Sequence, residues 1–337
     1  MKALILAGGL GTRLRPLTYS RPKPMLPVAN VPHIEHVLEL LIAQDVRDVV
    51  LLTSYMADAF DETIRRAARR GMDVEVAVED EPLGTAGAIR NAESFLEGDS
   101  FYVFNGDVLT DVDLGKLAGL HRDREAEATI LLTPVDDPSA FGVVPTAGDG
   151  RVRGFIEKPP RGEAPTNEIN AGVYVFEPSV LSRIPDGEVY STERALFPGM
   201  VEEGAALFAF PLGSYWIDIG TPDAYLKGNL DALSGSYHTP AAAGVTRREV
   251  LLGEGSSVAG GARVSSVCLG ARARIEEGAE VSRCVLLPGA VIGANARVRD
   301  SIIGERAVVE PGCEVVSAVV GDGERITEGG GSAWASW

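Results

Sequence analysis

The residues best suited to chemistry stand at the start of the chain, where Leu6-Ala7-Gly8-Gly9-Leu10-Gly11-Thr12-Arg13-Leu14 is followed by Arg21-Pro22-Lys23-Pro24. Glycines without Cβ atoms let backbone N–H groups close on phosphate oxygens, and the Thr12 hydroxyl adds a donor to the same concavity. Arg13 offers a planar fork for two oxygens and Lys23 a movable point charge, a division of labour that suits a reaction in which phosphate charge shifts. A Walker loop would need Gly-Lys followed by Ser or Thr, and a dinucleotide fingerprint would need a glycine at Leu14; neither is present. The plain alternative is a structural glycine turn with two solvated bases.

These residues need a scaffold. The apolar run from Ala3 to Ala7 reads as the first strand of an α/β sheet, which puts the glycine loop at the carboxyl edge, where such folds bind nucleotides. Residues 1–233 alternate short β-rich runs with helical periods, as an α/β domain should. Helices are expected over 33–44, 58–70 and 85–95, and strands over 49–52, 74–78 and 101–104. The strand over 101–104 runs into Asn105-Gly106-Asp107, which exposes a carboxylate at the sheet edge beside the glycine loop, or else forms a solvated turn. Asp218 interrupts the apolar stretch Trp216-Ile217-Asp218-Ile219, so its charge needs a metal, a salt bridge or a helix-capping role.

From about residue 245 the chain becomes a repeat. Leu252, Leu269, Leu286, Ile303 and Val320 recur every 17 residues, as do Val258, Ile275, Ile292, Val309 and Ile326, and Val264, Val281, Val298 and Val315. The spacing within a period is close to the six-residue step of a left-handed parallel β-helix built of hexapeptide repeats. Gly261, Gly278, Asn295 and Gly312 share one phase and tolerate left-handed corners; Ala262, Ala279, Ala296 and Cys313 share another and suit a crowded interior. The chain therefore divides into a domain over 1–233, a linker over 234–244, a β-helix over 245–328 and a tail over 329–337 that carries Trp334 and Trp337.

Composition narrows the function. The chain has 337 residues, 45% of them hydrophobic, and a formal charge of −17, which argues against nucleic acid as a partner but not against a nucleotide held in a local cationic pocket. No apolar run reaches membrane-spanning length and no leader pattern precedes the first strand, so a cytoplasmic protein is expected. Cys268, Cys284 and Cys313 lack metal-type spacing and read as small buried residues. The bases Arg65, Arg66, Arg69 and Arg70 read as a solvated helix end, and His33, His36, His121 and His238 as surface or packing residues. Acyl transfer by the β-helix is weakened because no histidine follows His238.

The opening segment resembles the signature of the nucleotide-sugar pyrophosphorylases, Gly-Gly-x-Gly-Thr-Arg-Leu-x-Pro-x-Thr and then Pro-Lys-Pro, and later segments resemble the mannose-1-phosphate guanylyltransferase branch. The resemblance covers the whole chain and implies a Rossmann-like nucleotidyltransferase domain with a mixed sheet. It further implies Mg²⁺-dependent transfer from GTP to mannose 1-phosphate, with Arg13, Lys23, Asp107 and Asp218 catalytic and the two aspartates sharing one Mg²⁺. Nucleotide binding is expected from Leu6, Ala7, Gly8, Gly9, Gly11, Thr12, Asn105 and Gly106, and base recognition from Glu79, Pro82, Gly84 and Thr85, where glycines would admit a flat base and Thr85 could also cap a helix. Gly142, Glu157, Lys158 and Asn170 are the expected sugar-phosphate residues: Glu157 would accept from two hydroxyls, Asn170 would donate and accept, Gly142 would admit the ring, and Lys158 would hold the phosphate. A uridylyl- or thymidylyltransferase for glucose 1-phosphate, and a silent nucleotide-sugar-binding regulatory subunit, are the competing readings. A homo-oligomer formed through the β-helix is expected.

Overall fold

A computed structural model describes residues 1–239 and 249–327, together with the backbone strand Trp334–Ser336. The chain forms two compact units, Met1–Gly9 with Leu41–Trp216, and Leu10–Leu40 with Ile217–Trp337.

The first unit is a nine-stranded mixed sheet. Strands β1 (Ala3–Leu6), β2 (Asp48–Thr53), β3 (Asp73–Val78) and β4 (Phe101–Asn105) are parallel in the order β4-β1-β2-β3. The apolar runs of β1, β2 and β4 reflect burial on both faces, as central parallel strands require, whereas the edge strand β3 is largely exposed. Strand β5 (Ala128–Pro134) pairs with β8 (Glu168–Phe176), which runs antiparallel to both β4 and β5 and supplies the mixed character. The short strands β6 (Gly142–Val143) and β7 (Ile156–Glu157) extend the β8 side, and β9 (Leu207–Pro211) lies parallel to β5. Tyr174, Phe176 and Phe197 pack ring against ring in a core that also holds Leu4, Val103 and Ile130.

The expected helix over 85–95 divides into the α-helix Gly84–Asn91 and a single 3-10 turn Glu93–Phe95. That over 58–70 begins as a 3-10 turn, Ala57–Phe60, before the α-helix Asp61–Ala68, where Arg65 and Arg66 both pair with Glu62.

In the second unit the helix Pro222–Ser234 is capped by Thr221, whose hydroxyl accepts from the Ala224 N–H, and stops at Gly235 with φ 86°. Of the expected linker, residues 240–244 lie outside the described residues. The repeat is a parallel β-helix: Leu252, Leu269, Leu286, Ile303 and Val320 pair in succession along one sheet, and Val258, Ile275, Ile292, Val309 and Ile326 along another, at the 17-residue step. Three corners per coil are left-handed, two more than the phase of Gly261, Gly278, Asn295 and Gly312. Besides Gly261, Gly278, Asn295 and Gly312, positive φ occurs at Ser266, Arg283, Asp300 and Ser317, and at Arg272, Gly289, Arg306 and Gly323.

The interior is lined by Ala279, Ala296 and Cys313, as expected, and by a further small row, Ala273, Ala290 and Ala307. Burial pushes the Cys268 and Cys284 thiols up to about 12, which makes them inert packing groups. Two of the aliphatics in register are exposed, Leu252 at 54% and Val258 at 38%, and Val264 is partly buried; their coil has a described neighbour on one side only. Most of the tail lies outside the described residues, and Trp334–Ser336 pairs antiparallel with Ala318–Val320.

His33, His36 and His121 are buried and only His238 is exposed. His36 Nε2 faces the Val28 carbonyl at 2.9 Å and Nδ1 the Thr239 hydroxyl at 3.0 Å, so the ring sits as the neutral Nε2–H tautomer, donating to Val28 and accepting from Thr239. Desolvation lowers its pKa from 6.5 to about 4. Below pH 6.5 the unfolded chain binds a proton that folded His36 accepts only near pH 4. Stability therefore falls as pH drops through that window, by up to about 3 kcal/mol from this residue. Chemical unfolding at pH 7 and pH 5 should show a smaller pH effect for His36→Gln than for the parent; equal effects would assign the acid sensitivity to other groups.

Candidate active site

In the first unit, the ends of parallel neighbours meet. Leu6 is in register with Asn105 of β4 and Leu52 of β2, so the start of the glycine loop and Asn105-Gly106-Asp107 leave the sheet side by side at its carboxyl edge. The Gly106 N–H donates to the Leu6 carbonyl at 2.9 Å, an approach so close that a Cβ at 106 would lie 2.2 Å from that oxygen. Ala7 donates to Leu52, and the Ser54 and Tyr55 hydroxyls donate to the carbonyls of Gly8 and Gly9. Those two hydroxyls turn the glycine carbonyls aside, and nothing in the sequence motif marks them. Asp107 is half-buried at this edge, and Asn105 Oδ1 is buried without a hydrogen-bond partner in the protein.

The segment expected to read the base is built differently from its sequence reading. A Cβ on Gly84 would lie 2.8 Å from the Tyr190 carbonyl and one on Gly87 2.7 Å from that of Glu188, so these glycines admit another stretch of backbone. Thr85 does not cap its own helix: its hydroxyl donates to Glu193 and accepts from the Thr192 N–H at the start of the turn Thr192–Leu196. Glu79 is buried and accepts from the Leu83 N–H, and burial raises its carboxyl above the ordinary range. Pro82 is exposed in this turn.

The sugar segments come together in part. Gly142 and Glu157 are register partners on β6 and β7, and Lys158 Nζ lies 3.5 Å from Glu157 Oε1. A Cβ on Gly142 would meet the Phe155 ring at 2.6 Å, so the missing side chain makes room for that ring. Asn170 is spent largely on its own strand: its amide donates to the Tyr174 hydroxyl, and its oxygen accepts from Gly172 N–H across a bulge where Gly172 takes φ 71°. These bonds take one donor and one acceptor position of Asn170 and leave one of each. Ala171, within the bulge, accepts from Trp216 Nε1.

In the second unit Gly11 adopts the left-handed conformation, φ 59° and ψ 30°, and starts the 3-10 turn Thr12–Leu14. Its carbonyl accepts from the Leu14 N–H and the Thr18 hydroxyl, and a Cβ would lie 2.9 Å from Thr18 Cγ2. Thr12 and Arg13 are held outward on that turn. Lys23 is only 7% exposed, with Nζ 3.5 Å from Asp218 Oδ1, while Arg13 Nη2 is 4.0 Å from Asp218 Oδ2. The Asp218 carboxylate also accepts from Gly220 N–H at 2.7 Å. Asp218 is thus ion-paired with Lys23 and Arg13, and the helix cap falls to Thr221. Gly220 joins the site without having been expected there: a Cβ on it would lie 2.6 Å from Arg13 Nη2, 2.7 Å from Asp218 Oδ1 and 3.0 Å from Lys23 Nζ. The signal lay in its place two residues after the carboxylate.

An α/β sheet with a glycine loop, and a buried lysine and an arginine gathered on one carboxylate, is the apparatus of a phosphate-handling protein. Residues 2–235 match the nucleotidyl transferase family model, and the chain belongs to that family; residues 246–329 match the model of the GMPPB C-terminal domain. A mannose-1-phosphate guanylyltransferase of Mycobacterium tuberculosis is 41% identical over 85% of this chain and 80% of its own length. The mannose-1-phosphate guanylyltransferase catalytic subunit beta of Drosophila pseudoobscura pseudoobscura is 44% identical over 67% of this chain, and the match spans 61% of that relative. Among solved structures, HddC of Yersinia pseudotuberculosis complexed with GMP-PN is 32% identical, with a TM-score of 0.59 over 68% of this chain and 97% of that one.

Gly220→Ala tests the cluster directly. The displaced groups are mostly tips of long side chains, so thermal unfolding should shift little, while turnover falls by about tenfold or more as Arg13 and Lys23 lose their places. Unchanged turnover would show that their position does not matter.

Proposed function

We propose that the chain catalyses Mg²⁺-dependent formation of GDP-mannose and pyrophosphate from GTP and mannose 1-phosphate. The observation that carries this reading is the pairing of Lys23 and Arg13 with Asp218 beside the left-handed Gly11 turn, in a chain whose relatives are named guanylyltransferases. A sugar-phosphate oxygen attacks the α-phosphorus of the triphosphate, the bond to the β-phosphate breaks, and pyrophosphate leaves; no covalent enzyme intermediate is needed. Arg13 and Lys23 stabilise charge on the transferred phosphoryl and the leaving group. Backbone N–H groups of Gly8, Gly9 and Gly11 receive phosphate oxygens, and the unpartnered Asn105 Oδ1 accepts from the nucleoside. Lys158 orients the sugar phosphate and Glu157 accepts from sugar hydroxyls.

Asp107 and Asp218 are the residues we assign to Mg²⁺. The donors fit that ion: both are carboxylates, and Mg²⁺ is held by one or two carboxylates together with waters and substrate phosphates. When bound, Mg²⁺ would neutralise phosphate charge. No helix among the described residues is long and apolar enough to cross a membrane, and we place the enzyme in the cytoplasm. We further assign residues 1–233 to catalysis, 234–244 to a linker, 245–328 to the β-helix and 329–337 to a tail, with a homo-oligomer formed through the β-helix.

Pyrophosphate release measured across several nucleoside triphosphates and hexose 1-phosphates should peak at GTP with mannose 1-phosphate. A peak at UTP or dTTP with glucose 1-phosphate would replace the substrate assignment, and silence with retained nucleotide-sugar binding would make the chain a regulatory subunit. Lys23→Ala and Asp107→Asn should each lower turnover by about a hundredfold or more with little change in unfolding temperature; normal turnover in either would overturn the role assigned to that residue.

A further inference from the structure

Arg21 lies two residues before Lys23, and its side chain, 16% exposed, is held by the β-helix. Nη2 is 2.8 Å from Glu305 Oε2 and 2.8 Å from Asp322 Oδ2, carboxylates that stand 284 and 301 residues further along the chain. The two acids are themselves tied, because the Glu305 N–H donates to Asp322 Oδ1 at 2.7 Å. The Ser20 hydroxyl also donates to Asp322, and Asn30 donates to the Leu269 carbonyl at 2.7 Å, so the segment is tied to the β-helix on both sides of Lys23. Gly321 leaves room for Pro16, whose Cγ would lie 3.0 Å from a Cβ at 321.

The link from Arg21 to Lys23 is short and stiff. Pro22 holds φ at −62°, Pro24 restricts Lys23, and the 3-10 turn Lys23–Met25 closes directly behind. A displacement of Arg21 is therefore passed to Lys23 instead of being absorbed, and Lys23 has little freedom because it is buried against Asp218. Such a partly buried triad of one cation and two carboxylates is a weak source of stability but a strong geometric constraint.

We propose that Arg21 is a positioning residue for nucleotidyl transfer: clamped by Glu305 and Asp322 of the β-helix, it sets Lys23 against Asp218. The β-helix coils around 305 and 322 thus take part in catalysis without touching substrate. This rests on the catalytic role of Lys23 in the proposed reaction.

The test uses the full chain with Asp322→Asn and Glu305→Gln, each made alone and with Lys23→Ala. Asparagine at 322 keeps an acceptor for the Glu305 N–H but turns an amide donor toward Arg21; Glu305→Gln removes the other charge should Asp322→Asn fail to fold. Either variant should lower kcat by about tenfold or more, with KM for the sugar phosphate changed by less than about twofold. In the Lys23→Ala background neither should cause further loss, since the group that Arg21 positions is gone. An unchanged kcat, or a loss that multiplies in full with that of Lys23→Ala, would overturn the proposal and leave Arg21 a simple staple. Normal turnover of Lys23→Ala alone would instead overturn the function assigned to Lys23.

Discussion

An ammonium group removed from water must find a carboxylate, and Lys23 finds Asp218. Much of the second unit follows from that one contact. Asp218 must stand at the end of a strand, its second oxygen faces Arg13, and the next turn must run so close beneath both cations that only glycine fits at 220. The chain then turns at once into the helix Pro222–Ser234, which has its own cap in Thr221 and leaves Asp218 to the cations. At the other end of the contact, two prolines stiffen the segment that delivers Lys23.

The β-helix meets a different constraint, that of stacking nearly identical coils. A period of 17 residues returns each aliphatic to the place of its predecessor, and a small residue after each glycine-type corner lets the coils close without voids. Burial holds the Cys268 and Cys284 thiols protonated within those coils. The acidic residues at 305 and 322 face the segment that carries the buried lysine.

Several site residues had one sequence meaning and another structural one, always for the same reason. A glycine announces that a Cβ would not fit, but not what fills the space. At 84 the space holds the backbone of Tyr190, and at 142 the ring of Phe155, where a base and a sugar ring were expected. Polar side chains carry the same ambiguity. Thr85 and Asn170 have the right groups for a ligand, yet Glu193 and Thr192 engage the first, and Tyr174 and Gly172 the second.

The sequence by itself determined what depends on neighbours along the chain: the strand that delivers the glycine loop to a sheet edge, the 17-residue period, and the chemical types of Arg13, Lys23, Asp107 and Asp218. Even the β-helix was legible only where glycine or asparagine marked a corner. The corners at Ser266, Arg272, Arg283 and Arg306 are imposed on ordinary residues by coils closing above and below. Tertiary structure alone decided which charges meet. Arg21 is separated from its two carboxylates by nearly the whole chain, and Asp218 chose Lys23 over a helix cap because burial makes an unpaired charge far costlier than an uncapped helix end.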